Sequence, residues 1–139
     1  GHERVVELLL QHGAKFDLQD SNGLTALMIA TFQGHERVVD LLIRRGAEVN
    51  LQSSNGFTAL MIAAHHGHER VVELLIRHGA DINRQDSKQS GTALMNAAVQ
   101  GHERVVELLL QHGAEINLQS SNGYTALMAA AHKGHERVV

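Results

Sequence analysis

The chain has no cysteine among its 139 residues. A disulfide framework and thiolate chemistry are therefore excluded, and one argument for secretion goes with them. The expected location is intracellular, in the cytoplasm. There is no basic excess either: the formal charge is -3 and the pI is near 6.4. Nothing balances the phosphates of a nucleic acid, so nucleic acid is not an expected partner. No apolar run approaches the roughly 18 residues of a spanning helix, so no membrane partner is expected. Aromatics are scarce, with three Phe, one Tyr and no Trp. Catalytic signatures are missing too: no Gly-x-Ser-x-Gly turn, no phosphate-cradling glycine loop and no Cys nucleophile. The carboxylates are spread along the chain as on solvated helix faces. No enzymatic activity and no cofactor are expected.

What the chain has is a period. Gly-His-Glu-Arg-Val-Val starts at Gly1, Gly34, Gly67, Gly101 and Gly134, at spacings of 33, 33, 34 and 33. A fixed period of this length marks a repeat array. The units run 1–33, 34–66, 67–100 and 101–133, with a partial unit at 134–139. Such an array has no single closed core, and each unit leans on its neighbours. Positions that match in every unit carry the stacking. Positions that differ are released from that duty and are the candidates for binding.

Within the second unit, His35 to Arg45 clusters Val38, Val39, Leu41, Leu42 and Ile43 at helical spacing, which predicts an amphipathic helix. Glu36 suits its first turn and Arg44 and Arg45 its last, by the helix dipole. Gly46 stands where a left-handed residue ends a helix. Thr58 to His66 predicts a second, shorter helix with Thr58 as N-cap. The Asn55-Gly56 pair between them favours a type I′ hairpin turn. Burial of Val38, Leu42, Leu60 and their counterparts against neighbouring units must stabilise the array, at about 1.5–3 kcal/mol each.

The residues Asn-Gly-x-Thr-Ala-Leu-Met-x-Ala, then Gly-His-x-x-Val-Val-x-Leu-Leu, then Gly-Ala-x-x-Asn, resemble the ankyrin repeat over the whole chain. The resemblance implies an all-α solenoid of stacked helix-turn-helix units with hairpin-like finger loops. It also implies a convex back of long helices and a concave front of short helices and finger tips, through which family members mostly bind other proteins. One departure is consistent. At Thr25, Thr58, Thr92 and Thr125 the family's usual Thr-Pro-Leu-His reads Thr-Ala-Leu-Met. The lost proline reduces preorganisation at the first helical position. Met28, Met61, Met95 and Met128 are expected to fill apolar gaps where the family uses a hydrogen-bonding His.

Aligned on these threonines, three sets of columns vary. The position before Thr holds Leu24, Phe57, Gly91 and Tyr124. The fourth position after it holds Ile29, Ile62, Asn96 and Ala129. The two residues before the next Gly-His are Phe32-Gln33, His65-His66, Val99-Gln100 and His132-Lys133. By the resemblance these columns face the groove, with finger residues Ser54, Asn55, Ser121 and Asn122 at the rim. Phe32, Phe57 and Tyr124 are the aromatics in these columns, with Phe57 and Tyr124 the expected anchors and padding of the joint between finger and short helix the plainer role of Phe32 and Phe57. The third unit carries one extra residue and no Asn-Gly pair, so Lys88, Gln89 and Ser90 are expected to form a longer, mobile finger.

Eleven histidines invite a metal reading. One His per repeat, at stacking distances of about 8–10 Å, is too coarse a ladder to chelate, and no metal site is expected. His12, His78 and His112 precede helix-ending glycines, where a cation suits the dipole. The histidines also make charge depend on pH between about 5 and 7.

The leading reading is a non-catalytic protein-interaction module that holds another protein or peptide segment along the concave groove. The alternative is structural: a spacer slice of a longer array, or a designed scaffold, self-associating head-to-tail through uncapped ends that expose Val5, Leu8, Leu9, Leu127 and Val138.

Overall fold

The computed structural model describes residues 2–138; Gly1 and Val139, the outer ends of the repeat pattern, lie outside them. Among the described residues there are eight α-helices and no strands: α1 Glu3–Gln11, α2 Ala26–Gln33, α3 Glu36–Arg44, α4 Ala59–His66, α5 Glu69–Arg77, α6 Ala93–Gln100, α7 Glu103–Gln111 and α8 Ala126–Lys133. They make an all-α solenoid of two layers. The even-numbered helices pack on one another in order, and so do the odd-numbered ones. The two kinds differ little in length, nine residues against eight. The sequence's longer helix loses His35 and Arg45, which become its caps.

Each even-numbered helix starts where a threonine hydroxyl accepts the N–H of the methionine three residues on. Thr58 Oγ1 meets Met61 N at 3.3 Å, and Thr25, Thr92 and Thr125 repeat the arrangement. Such a cap contributes about 1 kcal/mol. Each of these helices ends in a left-handed glycine, at φ +71° for Gly34 and +70° for Gly67. The following His N–H returns to a carbonyl in the last turn, as His68 N does to Ala63 O. That Gly-His step is the whole connection between the helices of a pair.

The even-numbered layer is the more tightly packed of the two. Its buried Ala63, Ala64, Ala97 and Ala98 let backbones approach closely. The valines and leucines of the odd-numbered layer hold their helices further apart. That difference bends the stack, with α2, α4, α6 and α8 on the inside of the curve. Val38, Leu42 and Leu60 are buried as the periodicity requires, along with Val72, Leu75, Val105 and Leu109. Met28, Met61 and Met95 fill the apolar gaps assigned to them. Met128 does not: it is 49% exposed, because no further unit among the described residues covers that side of α8. Val5, Leu8, Leu9 and Leu127 are exposed on the two end faces in the same way, whereas Val138, expected to be exposed there too, is half-buried against the core.

The finger turn is not type I′. Gly56 N–H bonds Ser53 O at 2.8 Å, and Ser53 N–H bonds Phe57 O at 2.9 Å. Only Gly56 has positive φ; Asn55 does not. This is a type I turn closed by a left-handed glycine, which needs one positive φ where type I′ needs two. Asp20 to Leu24 and Ser120 to Tyr124 repeat it.

Candidate protein-binding groove

The fingers are ordered by polar columns. Gln19 Nε2 donates to Gly23 O within its own finger at 2.8 Å and to Gln52 O of the next finger at 2.9 Å. Gln85 does the same toward Ser90 O and Gln119 O. With methionine at the position where the family uses a His, a glutamine amide elsewhere in the finger ties the fingers together. Further down, Asn83 Oδ1 accepts Glu115 N–H at 2.8 Å and its Nδ2 donates to Gly113 O; Asn50 spans the previous joint. At the tips, one backbone bond crosses each joint: Ser54 N to Asn22 O, Ser87 N to Asn55 O and Ser121 N to Gln89 O.

The longer third finger is not a loose loop. Asp86 Oδ1 accepts the N–H groups of Lys88 and Gln89, and Oδ2 accepts that of Gly91, each at 2.8 Å. Ser90 takes the left-handed conformation at φ +55° in place of the glycine that closes the other turns. One carboxylate satisfying three amides, itself only 6% exposed, holds the extra residue in place. The expected mobility of Lys88, Gln89 and Ser90 is thereby corrected: Lys88 and Gln89 are exposed but tethered, and Ser90 is half-buried.

The variable columns converge in part. Phe57, His65, Gln89, Asn96, Val99, Asn122 and Tyr124 line a single open pocket of about 330 Å³ across α4, α6, α8 and their fingers. Asp86, Gly91, Met95, Ser120, Thr125 and Ala129 complete it. Tyr124 is 46% exposed. Phe57 is half-buried against the core while also facing the pocket, so both roles considered for it apply. Asn96 turns its Nδ2 to Thr92 O.

The other candidates lie elsewhere. Ile29 and Gln33 line a cavity on the end face with Val5 and Val38. Phe32 sits edge-on to His66 at 4.6 Å, and His66 stacks on His68 at 5.7 Å. Leu24 and Ile62 are half-buried against the core. Ser54, Asn55, Gln100, Ser121, His132 and Lys133 are exposed outside the pocket lining. The motif histidines are used in stacking: His68, His102 and His135 each place Nε2 on a carbonyl of the last turn of α2, α4 and α6 respectively, Phe32 O, His65 O and Val99 O, at 3.3, 3.0 and 2.9 Å. His12, His78 and His112 bond carbonyls in the last turn of their own helices.

Four pocket residues escaped the column comparison: Asp86, Met95, Ser120 and Thr125. Asp86 varies only with Ser, and its role depends on Gly91 five residues on. A glycine in a column of Leu, Phe and Tyr was the available signal. No helix among the described residues is long and apolar enough to cross a membrane.

Comparison with known families agrees with this geometry. The family model described as ankyrin repeats (3 copies) matches residues 1–86. A second, described as ankyrin repeats (many copies), matches residues 63–110 and 94–139. No individual curated protein matches. Ankyrin repeats are generally non-catalytic modules for protein–protein interaction. With two matching family models and a curved stack of capped helix pairs joined by Gly-His steps, the chain belongs to the ankyrin repeat family.

Proposed function

We propose that this chain binds a segment of another protein along the inner side of its curve, with the pocket between Phe57 and Tyr124 as the anchor point. The observation that carries this reading is the gathering of variable positions into one open pocket, while the repeated positions are spent on stacking. Large aromatic side chains at such a pocket supply contact area with few rotors to freeze.

The test is a binding measurement on Tyr124→Ala and Phe57→Ala with a partner peptide selected against the intact protein. Losses of about 2 kcal/mol or more per anchor are expected, the range of binding hot spots. Unchanged affinity in both variants, each measured at a temperature where circular dichroism shows it folded, removes the pocket from the account.

A further inference from the structure

We infer that this pocket is built for one kind of side chain: a lysine or arginine carried by an extended partner segment. The inference rests on the groove reading and names the chemistry at its centre. Asp86 is the only Asp, Glu, Lys or Arg in the lining, which also holds the imidazole of His65; Lys88 on the same finger and Lys133 on α8 lie outside it. Its carboxylate is buried and faces a pocket walled by Phe57 and Tyr124. A carboxylate offers about four acceptor positions, and three are used by backbone amides, two on Oδ1 and one on Oδ2. The fourth lies on Oδ2.

Gly91 leaves space beside that oxygen. It does not have positive φ, so backbone conformation does not demand a glycine. A Cβ there would stand 2.7 Å from Asp86 Oδ2. The same column holds Leu24, Phe57 and Tyr124 in the other units, and the Asp86 column holds Asp20, Ser53 and Ser120. Only the third unit pairs a carboxylate with an empty position beside it. An unbranched apolar stem would pass between the two aromatic walls, where a cation within about 6 Å of a ring is attracted to its face. The cationic head would reach Oδ2 in a charge-assisted hydrogen bond.

The first arm titrates N-acetyl-arginine amide, N-acetyl-lysine amide and N-acetyl-norleucine amide into the isotope-labelled protein, following amide shifts. The cationic probes should move Gly91 and Tyr124, and norleucine should bind about fivefold or more weakly for want of the charge. Equal binding by norleucine, or no shift at Gly91 and Tyr124, overturns the inference. The second arm uses peptides selected against the intact protein. Those blocked by Tyr124→Ala should carry a Lys or Arg, and Asp86→Asn should weaken them about tenfold. Asn96→Ile, which restores the residue of the neighbouring unit and leaves the finger bonds intact, should weaken them also by narrowing the pocket. Groove peptides without a basic residue and indifferent to both changes would sink this inference while leaving the groove reading standing. Selected peptides that ignore Tyr124 and Phe57 would remove the groove reading itself.

Discussion

The imidazole of His102 lies against the α-carbon of Gly67: a Cβ at Gly67 would stand 2.6 Å from its Nδ1. The same ring places Nε2 3.0 Å from His65 O. The glycine of one Gly-His step thus makes room for the histidine of the next, and the histidine ties the two units together. Gly34 with His68 and Gly101 with His135 repeat the relationship.

Gly67→Ala should therefore be costlier than the same change at Gly134, where φ is +73° but no atom of the described residues lies within 4 Å of the added Cβ. The shared left-handed strain costs about 1–2 kcal/mol. Displacing the His102 ring adds about 1 kcal/mol for its hydrogen bond. Urea melts of both variants measure the difference. Combining Gly67→Ala with His102→Ala should cost less than the sum of the two single changes, because the clash vanishes with the ring. Equal losses at Gly67 and Gly134 contradict the account.

Thr31 is fully buried, and its Oγ1 has no hydrogen-bond partner among the described residues. The other units carry Ala64, Ala98 and Ala131 at this position. An unsatisfied buried hydroxyl costs about 1–3 kcal/mol. Thr31→Val, which keeps the shape and drops the hydroxyl, should stabilise by about 1 kcal/mol. Thr31→Ala should gain less, since it also gives up a methyl group worth about 0.8 kcal/mol. Thermal denaturation of the two variants checks both the sign and the order.

Asn83→Ala removes two side-chain bonds across the joint to the fourth unit, the acceptor for Glu115 N–H and the donor to Gly113 O. The expected loss is about 1–3 kcal/mol. It should appear in hydrogen exchange as faster opening of α7 and α8 than of α2 and α3, because coupling in such arrays is between nearest neighbours. Uniform acceleration along the chain would show that Asn83 does not act through that joint.

Tyr124 and Phe57 should separate in stability although both line the pocket. Phe57 packs on the core and Tyr124 is 46% exposed. Phe57→Ala should lower stability by about 2 kcal/mol or more. Tyr124→Ala should stay within about 0.5 kcal/mol, as surface changes do. Calorimetry on the free protein checks this without any partner.

The period, the helices and the caps were legible in the sequence because each rests on a local rule. Thr58 before an apolar run and Gly67 after it fix a helix from within ten residues of chain. The turn type was not legible. Asn55-Gly56 suits two turn classes, and the bond from Ser53 to Phe57 decides between them. The third finger was misread for a related reason: an inserted residue looks loose until the carboxylate that binds it is located, and Asp86 acts through three amides rather than through a motif. The groove columns were only partly legible. Column variation cannot tell Ile29 on the end face from Asn96 in the pocket, because that depends on which neighbour stands alongside.

The single backbone bond at each finger tip sets how the curve yields. Behind the fingers, the even-numbered helices hold each joint by close apolar packing; at the rim, Ser54 N–H to Asn22 O and Gln19 Nε2 to Gln52 O are the kind of link that crosses it. Flattening the arc stretches those rim links before it disturbs the packing behind. A guest lodged in the hollow would then work against a hinge stiff at its spine and compliant at its lip, and its grip would depend on how far that lip has been sprung.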